Sequence, residues 1–284
     1  MTDRSALLRR LLRFTGSIPT KYKFLYPLWL SAQLSLIEST RYFDHLPDGL
    51  DSLSIAYASD MHYGPRFKQD RAVNLAERLQ ELQADVIILG GDYGDDTASS
   101  LAFFDVFPQL SAPLGVYAAI GNHDRTGSSQ TIDHLLHAIR RSGITPLVNE
   151  AIQVERSGAR LRICSVDDIK RGQPDFLSIK GITDDTVFTV FVPHSPDVFP
   201  LAAKQTDFSF DLGLAGHTHG GQLVVWGHSL HSSSRYGDRY RSGWMLFDGK
   251  DIMVTNGVGT SLLPLRIGAP AQIHLITLRQ TKTD

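Results

Sequence analysis

The chain has 284 residues, 42% hydrophobic and 20% charged, a globular composition that excludes disorder, collagen and coiled coil. A net charge of −2 offers no basic field for nucleic acid, and one cysteine, Cys164, excludes both a disulfide scaffold and a thiolate metal site. Any metal here must take histidine and oxygen ligands.

The charge is unevenly placed. Residues 1–30 carry Arg4, Arg9, Arg10, Arg13, Lys21 and Lys23 against Asp3 alone, a net +5 that leaves −7 for the rest. Leu7, Leu8, Leu11, Leu12 and Phe14 alternate with Arg9, Arg10 and Arg13 at helical spacing, which predicts a basic amphipathic helix on an anionic membrane surface. The alternative is a basic helix packed on the domain edge. The next apolar stretch, residues 24–37, has 14 residues interrupted by Pro27, Ser31, Gln33 and Ser35. A spanning helix needs about 20 apolar residues, so this stretch lies on a bilayer or on the protein. Twin-arginine export is the weaker reading, because no uncharged apolar region directly follows Arg9-Arg10. Residues 1–49 are thus set apart from a catalytic domain over 50–284. The expected location is cytoplasmic, peripheral on the inner face of the membrane.

From residue 53 short apolar runs alternate with helical patterns. Residues 53–58, 86–89 and 116–120 read as strands, and 70–83, 99–110 and 131–141 as helices. This β-α-β-α-β order implies an α/β fold with a parallel sheet covered by helices. Strands dominate the second half: a hairpin over 151–156 and 160–165, then 187–192, 212–215, 222–225, 244–247 and 252–255. The two halves form two packed sheets of one domain.

In such sheets ligands gather beyond the carboxyl ends of the strands. Five runs end in metal-type donors: Asp60 and His62, Asp92, Asn122-His123-Asp124, His194, and His217 with His219. Asp60 and His62 share a face if their strand continues. Any one of these donors alone is a cap or a structural histidine, but their coincidence on one rim points to a site. Imidazole with carboxylate and carboxamide oxygen suits manganese, zinc, iron or cobalt, and there are more donors than one ion needs.

These motifs in this order, over about residues 55–278, resemble the calcineurin-like metallophosphoesterase superfamily. The resemblance implies a four-layer αββα sandwich and two divalent metal ions, manganese foremost, about 3.5–4 Å apart. By the same resemblance Asp92 bridges the ions, Asp60, His62 and His219 complete one ligand set, and Asn122, His194 and His217 complete the other. His123 stands beside the leaving-group oxygen, with Asp124 orienting its ring. The implied reaction is hydrolysis of a phosphate ester or pyrophosphate by a metal-bridging hydroxide.

Gly220-Gly221-Gln222, Asn256-Gly257-Val258-Gly259-Thr260 and Leu263-Pro264-Leu265-Arg266 resemble a membrane-associated bacterial subgroup of that superfamily. It includes pyrophosphohydrolases acting on UDP-2,3-diacylglucosamine in lipid A biosynthesis. Gln272 stands where the subgroup usually has an acid, and Met61 and Tyr63 where leucine is common. The leading expectation is therefore a membrane-proximal or lipid-linked substrate. Alternatives are a soluble phosphodiesterase for cyclic nucleotides or other small diesters, and a non-catalytic scaffold. The glycines of 256–259 either form a tight loop against the site or contact phosphate.

Other conspicuous residues have plainer readings. Cys164 is a buried small hydrophobe, and Asp95-Asp96, Asp167-Asp168 and Asp184-Asp185 are solvated turns. Arg235, Arg239 and Arg241, with Tyr236 and Tyr240, either hold phosphate or headgroups or form a solvated loop. The remaining histidines, among them His45 and His274, are structural or surface residues.

Overall fold

The computed structural model describes residues 30–181 and 186–281, so the amphipathic segment over 6–14 lies outside the described residues. No described helix is long and apolar enough to cross a membrane. Strands β2 (Ser54–Ala58), β3 (Val86–Leu89), β4 (Val116–Ala119) and β5 (Thr145–Leu147) are parallel neighbours, connected through helices α1 (Gln69–Glu81), α2 (Thr97–Val106) and α3 (Ser129–Arg141). Period-two patterning decides what each face covers. Ala56, Ala58, Ile87 and Leu89 pack under the helices with Leu75, Phe103 and Leu135, while Ile55, Tyr57, Val86 and Ile88 point the other way.

That other face meets a second sheet, built from β6 (Glu150–Arg156), β7 (Ala159–Ser165), β8 (Val187–Phe191), β9 (Leu212–Ala215), β12 (Gly243–Phe247) and β13 (Lys250–Val254). Leu161, Ile163, Phe188, Val190, Leu212 and Leu214 complete the apolar layer between the sheets. The fourth layer is thin. The outer face of the second sheet is covered by the four-residue helix α4 (Phe199–Ala202) and by loop side chains such as Phe208 and Tyr240. Cys164 is buried there, as expected, and burial pushes its thiol up to about 12.

Among the described residues four strands escape the sequence reading: β5, β1 (Leu34–Phe43), β14 (Ala271–Gln280) and the two-residue β11 (His228–Ser229). β14 sits between β1 and β2, parallel to the first and antiparallel to the second. Because β1 pairs with β14 along all ten residues, Leu34–Phe43 forms the edge of the first sheet. Within 24–37, the residues from Leu34 onward lie on the protein, where Leu34 and Leu36 pack against the helix-side core. The strand expected over 222–225 shrinks to β10 (Val224–Val225), which pairs with β11 (His228–Ser229), because Gln222 adopts a left-handed φ of 50°.

Arg41 ties the edge of the first sheet to the second. Its Nε lies 3.0 Å from Asp251 on β13, and its guanidinium lies 4.7 Å over the Trp244 ring. Arg41→Ala should destabilise the fold by about 1–2 kcal/mol in urea unfolding. Combined with Asp251→Ala, the loss should fall short of the sum by about 0.5–1 kcal/mol. Strictly additive losses would show that the pair contributes nothing.

Candidate metal centre

The carboxyl ends of β2, β3 and β4 in one sheet and of β8 and β9 in the other open onto the same rim. There the chain turns sharply instead of continuing as strand. Asp60, His62, Asp92, His217 and His219 all have left-handed φ between 50° and 70°. Such conformations are rare for residues with a Cβ and persist where the surroundings impose them. Asp60 and His62 are therefore not on one face of a continuing strand, as expected, but at two successive corners. Glycine is required where the corners touch: a Cβ on Gly121 would lie 2.2 Å from Asp92 Oδ1, and one on Gly216 2.3 Å from Asp60 Oδ2.

The turns bring six of the seven expected donors together, and Asn122 follows Gly121 on the turn packed against Asp92. On one side His62 Nε2 lies 3.0 Å from His219 Nε2, which lies 3.5 Å from Asp60 Oδ1. On the other, His194 Nε2 lies 3.3 Å from His217 Nδ1. Asp92 stands between the groups, its Oδ2 3.1 Å from His194 Nε2 and 3.7 Å from His62 Nε2. Asn122 is buried with its Oδ1 lacking any hydrogen-bond partner.

The chemistry of this donor set fits divalent cations. His62 Nδ1 is 3.0 Å from Asp95 Oδ1, and His194 Nδ1 is 2.7 Å from the Gly90 carbonyl. Both partners accept, so both rings donate through Nδ1 and, when neutral, turn the lone pair of Nε2 into the cluster. Lone pairs facing a carboxylate and an orphaned amide oxygen need positive charge among them. The pKa directions report the same crowding. Burial opposes charge on His194, yet the charge and hydrogen bond of Asp92, with the charges of Asp60 and Asp168, together raise it to about 10. Burial, then His194, pushes His217 well down, and burial, then His62, does the same to His219.

His123 lies against this cluster, its ring 4.8 Å from that of His62, with its backbone N–H donating to Asp92 Oδ1 at 2.8 Å. Asp124 does not orient that ring. His123 Nδ1 donates to the Asp95 carbonyl at 2.8 Å, while the Asp124 carboxylate turns inward to accept from the N–H groups of Asp92, Tyr93 and Gly121 and from the Ser100 hydroxyl. Burial, then the Asp92 charge, raises Asp124 to about 6. Its role is to clamp two site loops together.

Other expectations are also corrected. Asp95 is no solvated turn residue: it holds His62 and takes both oxygens onto Arg66 at 2.7 and 2.6 Å. Asp96 caps α2. Asp167 and Asp168 are buried, the first paired with Arg125. The 256–260 loop is structural at its centre, because the N–H groups of Val258 and Gly259 donate to the carbonyls of Ser59 and Asp60. Arg266, the largest fully buried side chain, donates to the carbonyls of His219, Asn256, Gly257, Gly259 and Ala269. Of these residues only Arg266 and the 256–260 loop are marked in the sequence, through the subgroup motifs; no spacing distinguishes Asp95 or Asp167.

At the mouth, Lys170 brings its Nζ 2.6 Å from His217 Nε2 and 2.9 Å from the Ser233 carbonyl. Beside His219 opens a hollow of about 160 Å³, lined by Thr218, Leu223, Leu230, Leu262 and Leu263.

The calcineurin-like phosphoesterase family model matches residues 53–231. A metallophosphoesterase of Aquifex aeolicus is 31% identical over 91% of this chain and 95% of its own. The metallophosphoesterase YkuE of Bacillus subtilis is 30% identical over 83% and 82%, and the phosphodiesterase YaeI of Escherichia coli 30% over 81% and 84%. With the family model matching more than half of its length, the chain belongs to the calcineurin-like phosphoesterases and is a metal-dependent phosphoester hydrolase.

Proposed function

We propose that this hydrolase works through two divalent cations on a phosphodiester or pyrophosphate carried by a lipid or presented at a membrane. The observation that carries the dinuclear reading is Asp92, one buried carboxylate between two histidine groups. Asp60, His62 and His219 hold one cation with Asp92, and Asn122, His194 and His217 hold the other. Manganese, zinc, iron and cobalt all suit these ligands, and manganese is our assignment. Bound there, the pair of cations neutralises phosphate charge and lowers the pKa of water towards neutrality.

The remaining work falls to the chain. Nδ1 of His123 is fixed on the Asp95 carbonyl, which leaves Nε2 as the ring atom to pass a proton to the leaving oxygen. Asp95, braced by Arg66, orients His62 in the same way. Lys170 is available to a phosphate oxygen at the mouth. The name of the E. coli relative supports a diester. The apolar hollow beside His219 supports a substrate with a hydrocarbon part, such as UDP-2,3-diacylglucosamine. The N-terminal segment, ahead of β1, serves as a peripheral anchor on the inner membrane face.

A hydrolysis screen of metal-loaded protein against monoesters, small diesters and nucleotide-sugar pyrophosphates tests the substrate class; turnover of cyclic nucleotides alone would remove the lipid-linked reading. Asp92→Ala should nearly abolish hydrolysis and bring metal content below two per chain by elemental analysis. Two tightly held ions in that folded variant would take Asp92 out of the bridging role.

His123→Ala should keep its metal while turnover falls by about 10²- to 10⁴-fold, with a smaller deficit for an activated aryl diester whose leaving group needs little protonation. An equal deficit for good and poor leaving groups would mean that His123 positions substrate without donating a proton.

Wild type should sediment with anionic vesicles at low salt and be partly released at high salt, since each basic residue near the surface adds about 1 kcal/mol. The Arg9, Arg10, Arg13→Glu variant should bind less and keep its small-substrate activity. Identical partitioning at every salt concentration would make the segment structural.

A further inference from the structure

Two loop tips beside the hollow carry large apolar side chains in water. Trp226, in the two-residue turn between β10 and β11, is 96% exposed, and Leu262, in the loop after Thr260, is 73% exposed. Neither identity is explained by its turn. Trp226 and Leu262 have φ of 50° and 57°, conformations that favour glycine, asparagine or aspartate. Leu230, Leu263 and Val225 extend the same exposed surface.

The tips form one plate. Gln222 Nε2 donates to the carbonyls of Ser261 and Leu263, both at 2.9 Å, and Val224 N–H donates to Ile267 O at 2.8 Å. Arg66 donates to Leu262 O at 2.9 Å. Residues 222–242 hold Arg235, Arg239 and Arg241 against the single acid Asp238; the Arg241 side chain packs beside Gly221, 3.2 Å from where a Cβ would stand, and Arg235 lies 3.8 Å from Asp197. The hollow beside Leu262 has Leu230, Thr218 and His219 in its wall, which joins this face to the rim that carries the donors.

We propose that this face docks on an anionic phospholipid bilayer, with Trp226 and Leu262 entering the interface and the arginines meeting the headgroups. An indole at an exposed tip beside cationic side chains is the pattern of interfacial insertion, in which aromatic and aliphatic groups enter the acyl boundary while basic groups stay with phosphate. Docking in this orientation brings the mouth of the site to the membrane. The inference depends on the membrane-proximal substrate reading for its use, but its test reads the surface alone.

The test uses the full chain and vesicles of phosphatidylcholine and phosphatidylglycerol with brominated acyl chains, which quench tryptophan on contact. Wild-type fluorescence should be quenched, and Trp226→Phe should lose about half or more of that quenching. The Val225→Ser, Trp226→Ser variant should partition about tenfold more weakly and keep its turnover of a small soluble phosphodiester. Equal quenching of wild type and Trp226→Phe, or unchanged partitioning of the double variant, would overturn the proposal. So would a concentration-dependent dimer in the absence of vesicles that the double variant loses, because a second copy would then be the occupant. In the Arg9, Arg10, Arg13→Glu chain the Trp226-dependent part of the quenching should persist, which separates this face from the N-terminal segment. Failure of the lipid-substrate reading appears only in the hydrolysis screen.

Discussion

A buried carboxylate with nowhere to put its charge governs the architecture of the rim. Asp92 is 1% exposed, and burial alone would drive it neutral. His194, His123 and His62 surround it and hold its pKa well below the usual carboxylate range. Asp124, a second buried carboxylate, accepts from the Asp92 backbone N–H at 2.8 Å. Two acids this close, with lone pairs of imidazole turned towards them, form a stable arrangement only with cationic charge in their midst. Protons supply some of it; divalent cations match the whole donor set, including the orphaned Asn122 oxygen.

Meeting that demand shapes the backbone. Donors from two sheets must converge within a few ångströms, and strands some 10 Å apart cannot deliver them by running straight on. The chain instead bends at the donors themselves, and the left-handed φ at five of them is the geometric cost. The clamps distribute this strain: Asp124 binds the loops after β3 and β4 to each other, and Asp60 receives the His217 N–H at 3.0 Å, linking the two sheets.

How much of this was legible in the sequence depends on whether the signal is local. Apolar runs ending in polar clusters reveal β2, β3, β4, β8 and β9 and hence every donor, because strand and donor are contiguous in the chain. β14 pairs with β1 more than two hundred residues away, and no periodicity announces a partner at that distance. β1 alternates burial as an edge strand, and only its first residues, 34–37, fall within a stretch that the sequence marks, the apolar run over 24–37. The family resemblance implies that Asp124 orients the His123 ring, whereas its carboxylate accepts from the backbone of Asp92, Tyr93 and Gly121 and the ring is held by the Asp95 carbonyl. Asp95 was paired in sequence with Asp96 but in space with His62 and Arg66.

The C-terminal segment shows how a distant part of the chain fixes the centre without contributing a donor. Arg266 is fully buried, burial lowers its pKa to about 9, and its hydrogen bonds run to main-chain carbonyls of the 256–269 segment and of His219. A guanidinium can satisfy several carbonyls at once in a fixed plane, which an ammonium cannot. It thereby holds the 256–260 loop flat against Asp60, where Gly259 admits no side chain because a Cβ would stand 2.0 Å from the Met61 carbonyl. The loop then continues through Gln272 into β14, whose place beside β2 sets the start of the Asp60 turn. Closing the sheet and aiming Asp60 into the rim are therefore one act of packing, and the charge of Asp60 acts on the Arg266 guanidinium in the same direction, opposing the effect of burial.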